Sequence, residues 1–153
     1  MITFESASEA ETEMLASRLA QSLEPDTVVA LVGHLGAGKT RLVRAIAEAL
    51  GVDRQAIASP TFVLVHEYAG RLPIYHFDVY RLKNAADFLA LGADEYFTSG
   101  GVCLIEWADR VESFLPADHL RIELAATGET TRRIQFTATG PRSSAILQRL
   151  QVK

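Results

Sequence analysis

Eight consecutive residues, Gly33-His34-Leu35-Gly36-Ala37-Gly38-Lys39-Thr40, read G-x-x-x-x-G-K-T. That spacing is a phosphate-binding loop. Its glycines let successive backbone N–H groups turn inward onto phosphate oxygens, and the start of a following helix adds partial positive charge. Gly33, Leu35, Gly36, Ala37, Gly38, Lys39 and Thr40 are therefore the residues expected to hold a nucleotide. Lys39 would reach the β- and γ-phosphates, and the Thr40 hydroxyl would ligate Mg²⁺.

Such a loop needs a second carboxylate for the metal, and that carboxylate usually ends an apolar strand beside the loop strand. Glu106 ends Val102-Cys103-Leu104-Ile105, and Asp78 lies near the end of Ile74-Tyr75-His76-Phe77. Period-two alternation puts Ile74, His76, Asp78 and Tyr80 on one face. A strand-end carboxylate can also serve as a cap or pair with an arginine such as Arg81 or Arg110. With a phosphate loop in the same chain, both are read as catalytic and metal-binding candidates. Ser59-Pro60-Thr61 falls where nucleotide switches carry a hydroxyl that senses γ-phosphate. A proline turn opening a strand explains the same residues equally well. His76 is either a base or a structural histidine. Trp107, next to Glu106, should feel the site.

The elements around these residues follow from periodicity. Val28-Val29-Ala30-Leu31-Val32 reads as a buried strand entering the loop, and Leu42 to Leu50 as a helix leaving it, closed by Gly51. Ser8 with Glu11 fits a capping box ahead of Met14, Leu15, Leu19 and Leu23 at helical spacing. Phe62–Tyr68 and Leu72–Tyr80 flank Ala69-Gly70-Arg71 and predict a hairpin. Ala85–Leu91 predicts a short helix. Val102 to Ile105 predicts a buried strand after Gly100-Gly101. Asp118–Ala125 and Thr130–Ala138 predict a second hairpin around Thr127-Gly128. Pro141–Leu150 predicts a terminal helix with proline near its start. The sum is an α/β domain in three layers, with a mixed, mostly parallel central sheet and hairpin additions. Residues 1–153 are read as one domain.

Composition narrows the class. Nearly half of the 153 residues are apolar, so a packed core is expected. No apolar run approaches the length of a membrane span, and Met1-Ile2-Thr3-Phe4-Glu5 lacks the features of a signal peptide. The single cysteine, Cys103, excludes an intrachain disulfide. A cytoplasmic protein away from membranes is the expectation. The net charge of −4 argues against a stand-alone nucleic-acid binder.

Taken together, Gly33–Thr40, Ser59-Pro60-Thr61-Phe62, His76-Phe77-Asp78-Val79-Tyr80-Arg81 and Leu104-Ile105-Glu106-Trp107 resemble, in order and spacing, the bacterial TsaE (YjeE) ATPase family. That family serves the biosynthesis of threonylcarbamoyladenosine on tRNA. The resemblance implies a P-loop ATPase that binds ATP or ADP with Mg²⁺ at Thr40 and Glu106. Asp78 would position metal or water, and Ser59-Pro60-Thr61, with Thr61 as its catalytic candidate, would be switch-like. It also implies two protein partners, the threonylcarbamoyl transferase and its paralogous scaffold subunit, with tRNA met only through that complex. The chain departs from the family pattern at His34, usually Asp, and Arg41, usually a second Thr. ATP binding is expected to survive both. Ser6 to Glu9, Trp107 to Arg110, and Arg132 with Arg133 are candidates for the adenine pocket. Arg132 and Arg133 fit a solvated hairpin edge equally well.

Three other readings compete. A small P-loop metabolite kinase needs an arginine-bearing lid. No extended arginine-rich segment is evident, though Arg71, Arg81 and Arg110 are available. A GTPase needs N-K-x-D, which Lys83-Asn84-Ala85-Ala86-Asp87 only mimics. A module that holds nucleotide without turnover is the third.

Overall fold

The computed structural model describes residues 1–34, 36–57 and 65–151, which carry seven strands and five α-helices. The strands are β1 (Ile2–Ser6), β2 (Val28–Val32), β3 (Val65–Tyr68), β4 (Ile74–Asp78), β5 (Val102–Glu106), β6 (Leu120–Ala126) and β7 (Arg132–Ala138). The helices are α1 (Glu9–Ser22), α2 (Lys39–Ala49), α3 (Ala86–Ala90), α4 (Ala93–Tyr96) and α5 (Pro141–Gln151). Short 3₁₀ turns occupy Arg54–Ala56 and Ala108–Phe114.

The seven strands form one sheet in the order β1-β7-β6-β2-β5-β4-β3. Its centre is parallel: β2 lies between β5 and β6, and β4 runs parallel to β5. Antiparallel pairs close both sides, β3 on β4 and the β6–β7–β1 run. The mixed sheet with hairpin additions is thus as the sequence predicted. A strand at β1 was not expected. Its Ile2 and Phe4 lean on the core while Thr3 and Glu5 face water, a period-two pattern too short to stand out at a chain end.

The two faces carry unequal layers. On one, α1, α2 and α5 bury Leu15, Leu19, Leu42, Val43, Ile46, Ile146 and Leu150 against Val29, Leu31 and Leu104. On the other, α3, α4 and the 108–114 turns cover Val28, Ala30, Phe77, Cys103 and Ile105. Residues 28–31 of β2 are at most 2% exposed, because both faces of a central parallel strand are covered. Each large apolar side chain buried this way contributes about 1.5–3 kcal/mol relative to leaving it in water.

Local signals set the helix ends. Ser8 Oγ accepts the Glu11 N–H at 3.1 Å, and Glu11 returns to accept the Ala7 N–H at 3.1 Å. The return bond thus lands one residue before the capping-box position. Met14 departs from its expected place. It is 66% exposed, because the buried stripe of α1 runs through Leu15, Ala16, Leu19 and Ala20. Gly51 follows α2 in the left-handed conformation that closes a helix without strain, at φ +91°. Strand β3 is described from Val65, so the earlier part of the predicted 62–68 strand lies outside the described residues.

Candidate phosphate and metal site

Parallel strands deliver their C-terminal ends to one edge of a sheet, and ligands of such folds gather there. Here β2 ends at Val32, β4 at Asp78 and β5 at Glu106. In register, Asp78 faces Glu106, and Glu106 faces Leu31. The chain leaves β2 through Gly33, where a Cβ would lie 2.6 Å from the Leu124 carbonyl oxygen. A side chain there would push β6 away. Gly36 and Gly38 take φ of +82° and +104°, values that L side chains rarely adopt. Lys39 and Thr40 then open α2. Leu35 lies outside the described residues.

Lys39 is 4% exposed, with Nζ donating to the Gly33 carbonyl at 2.6 Å and the His34 carbonyl at 2.9 Å. The ammonium also lies 3.9 Å from the Trp107 ring centroid. Burial pulls its pKa below the ordinary lysine value, while Glu106, Asp109 and Asp78 oppose that shift. His34 itself points to solvent, and it is its backbone that meets the lysine.

Glu106 is 2% exposed and has both carboxylate oxygens engaged. Thr40 Oγ1 donates to Oε1 at 2.8 Å, and His76 Nε2 donates to Oε2 at 2.5 Å. Asp78 is half-buried one strand over, its Oδ1 accepting the Tyr80 N–H at 3.1 Å. An open cleft of about 860 Å³ is lined by Gly36, Gly38, Lys39, Thr40, Asp78 and Glu106. The cleft therefore brings Gly36, Gly38, Lys39 and Thr40 together with both carboxylates, whereas Gly33 and Ala37 do not line it. Ser59, Pro60, Thr61 and Phe62 lie outside the described residues.

The donor set fits phosphate with Mg²⁺. A hydroxyl and a carboxylate in contact are hard oxygen ligands, and Mg²⁺ typically takes one or two protein ligands beside substrate phosphates. Backbone N–H groups of a glycine loop at a helix start supply the anion side.

Trp107 follows Glu106 with φ +62°, left-handed backbone that costs a non-glycine residue on the order of 1 kcal/mol. Its ring packs on Tyr80 at 4.7 Å between centroids. Arg110 donates to the Tyr80 carbonyl at 2.7 Å, and Arg71 donates to the Ala20 carbonyl at 2.9 Å. Two of the three arginines available for a kinase lid are therefore bonded to backbone. Arg81 lines the cleft.

The adenine candidates separate. Ser6 is buried and bonded to Thr12 Oγ1 and the Ser8 carbonyl, so it belongs to the start of α1. Arg132 is a brace: its Nε donates to the Ala37 carbonyl of the loop at 2.9 Å, and its Nη1 to the Gly128 and Thr131 carbonyls. Arg133 pairs with Glu5 at 2.8 Å and also borders a second pocket of about 320 Å³ with His34, Trp107 and Asp109. Arg41 pairs with Glu9 of α1 and lines the cleft beside the loop. The sequence left His76 open between base and structural residue, and it placed Asp109 only within the 107–110 adenine candidates, not among the charges that act on Lys39. The alternation that put His76 and Asp78 on one face was the available signal for the first.

Comparison with known proteins gives one family. Residues 6–134 match the family model described as "Threonylcarbamoyl adenosine biosynthesis protein TsaE". A Bacillus subtilis relative, a tRNA threonylcarbamoyladenosine biosynthesis protein TsaE, is 43% identical over 141 residues, covering 92% of this chain and 87% of its own. A Treponema pallidum relative of the same name is 43% identical over 129 residues, 84% of this chain and 95% of its own. The crystal structure of Bacillus subtilis YdiB superposes with a TM-score of 0.82 at 39% identity, over 97% of this chain and 93% of that one.

Proposed function

The chain belongs to the TsaE family, and on that premise we propose that it is a Mg²⁺-dependent P-loop ATPase serving threonylcarbamoyladenosine biosynthesis on tRNA. The observation that carries the ATPase reading is the 2.8 Å contact between Thr40 and Glu106 beneath the glycine loop. It joins a hydroxyl at the start of α2 to a carboxylate at the end of β5, the two ligands a phosphate-bound metal requires.

Each residue then has a task. Backbone N–H groups of the loop from Gly33 to Lys39 hold phosphate oxygens. Lys39 exchanges the Gly33 and His34 carbonyls for the β- and γ-phosphates, its three donors being shared between those acceptors. Thr40 and Glu106 hold Mg²⁺, which when bound supplies positive charge to the phosphate oxygens. Asp78, across from Glu106, orients the attacking water. Ser59-Pro60-Thr61 reports the γ-phosphate.

Turnover by the isolated chain is slow. The partners are the threonylcarbamoyl transferase and its paralogous scaffold subunit, which supply stimulation and the tRNA contact. The net charge of −4 supports that division, since phosphate contacts dominate RNA affinity and favour a basic surface. The setting is cytoplasmic; no helix among the described residues is long and apolar enough to cross a membrane. Steady-state ATP hydrolysis and tRNA modification, measured with the partners added singly and together, test the reading. Stimulation that requires both partners supports it. Fast hydrolysis by the isolated chain, or tight salt-sensitive tRNA binding on its own, overturns it. Phosphate transfer to a metabolite would establish a kinase.

A further inference from the structure

We propose that His76 is a positioning residue that presets the Glu106 carboxylate for the metal, acting through the buried chain His76–Glu106–Thr40. The inference rests on the reading of Thr40 and Glu106 as metal ligands.

Glu106 reaches its place from the last position of β5, and a glutamate side chain has three rotatable bonds. Two contacts remove that freedom. Oε1 receives the Thr40 hydroxyl at 2.8 Å and Oε2 receives His76 Nε2 at 2.5 Å. A metal held by Thr40 and Glu106 would compete for the first contact, which uses Oε1. The second engages the other oxygen, Oε2, and would remain to orient the carboxylate. The side chains of His76 and Glu106 are 1% and 3% exposed, so their bond is shielded from solvent. A carboxylate oxygen accepts, so the proton of this bond sits on Nε2.

The hairpin then holds the imidazole. His76 faces His66 across the β3–β4 pair, and the two rings lie 6.1 Å apart. Tyr68, two residues along β3, stacks on His66 and brings its hydroxyl 3.5 Å from His76 Nδ1, the outer limit of a hydrogen bond. Among the described residues, His66 Nε2 is buried without a partner of its own. Burial and the adjacent His76 both lower the His66 pKa. Ligand orientation by an outer partner of this kind typically governs about 10–100-fold in metal affinity.

A purely structural His76 makes a different prediction, since its loss would weaken nucleotide binding equally with and without metal. The experiment is calorimetric titration of ADP in EDTA and in MgCl₂ for the wild type, His76→Leu and His76→Gln. His76→Leu should keep its affinity in EDTA and lose about 10–100-fold of the gain from Mg²⁺. His76→Gln, whose amide N–H reaches toward the same carboxylate, should regain most of it. Equal loss in both buffers, or an undiminished gain in His76→Leu, overturns the proposal while leaving the metal reading intact. A wild type with no gain from Mg²⁺ overturns both. Should His76→Leu fail to fold, imidazole-labelled NMR of the ligand-free wild type decides. A protected proton on Nε2 supports the assignment, and a freely exchanging one or an Nδ1–H tautomer overturns it.

Discussion

The sheet divides at β2 into two halves that use polar residues in opposite ways. Toward β5, β4 and β3 the strands next to β2 are parallel, and their ends deliver Asp78 and Glu106 to one edge. Polar groups there are buried and joined: Glu106 and His76 are 2% and 1% exposed and share a 2.5 Å bond. Toward β7 and β1, beyond the parallel β6, the strands reverse direction, so their ends alternate between the two edges and no cluster of strand-end carboxylates forms among the described residues. Charges on that side pair at the surface, Arg133 with Glu5 and Arg121 with Glu112 and Glu123. One half carries the candidate site and the other frames it. Arg132 is the bridge, reaching from β7 to the carbonyl of Ala37 in the loop. Buried partners are costly to separate, whereas exposed pairs contribute little.

The contrast breaks first at Lys39. Lys39→Ala should lose about 1.5–3 kcal/mol of ATP binding, or about 10–100-fold in affinity. Titration calorimetry giving the wild-type value would remove the loop from the phosphate site. The two carboxylates sharpen it next. Glu106→Gln should weaken Mg²⁺-ADP binding by about tenfold or more. Asp78→Asn should leave that affinity in place and slow hydrolysis. Equal loss of binding in both would make both metal ligands, and unchanged turnover in Asp78→Asn would return it to a cap for the Tyr80 N–H.

A smaller effect is expected in the framing half, at Asp118. It accepts the backbone N–H groups of Arg142 and Ser143 at 2.7 and 3.1 Å and so caps α5 from the bend that leads into β6. Burial raises its pKa, but the Ser143 hydroxyl, those two N–H groups and the Arg142 guanidinium outweigh burial and hold it below 3.8. A depressed folded value means that the ionised cap stabilises above the unfolded value. That contribution is lost as pH falls through the folded one. Asp118→Ala should therefore cost about 1 kcal/mol at neutral pH and nothing once the carboxylate is protonated. Denaturant titrations of both proteins at neutral and strongly acidic pH measure the difference; a gap that persists in acid would assign the loss to packing. The smallest effect belongs to the exposed pair of Arg133 and Glu5. Glu5→Gln should leave the thermal midpoint and nucleotide affinity unchanged, and a shift in either would show that this edge is coupled to the site.

Local chemistry written in consecutive residues was legible in the sequence. The glycine loop, the apolar run of β2, the cap of α1 at Ser8 and the turn at Gly70 each need only neighbours along the chain. The Glu106 and Asp78 candidates were legible because an apolar run ending in a carboxylate is itself a local pattern. Met14 misled, because helical spacing alone does not choose which side of an amphipathic stripe meets the sheet. Strand β1 was missed because a five-residue strand at a chain end declares itself only through its partner β7.

What the sequence determined by itself was the make-up of the candidate site: a glycine loop of phosphate-binding spacing, a hydroxyl and two carboxylates at strand ends in an α/β sheet. Those features follow from spacing, which the covalent chain fixes. Only the tertiary structure decided which groups touch. It joined Thr40 to Glu106 across 66 residues, backed that carboxylate with His76, laid Lys39 on Trp107 and tied Arg132 to the loop 95 residues before it. Contacts of that range come from strand order and register, which the packing of the whole core selects and no single segment encodes.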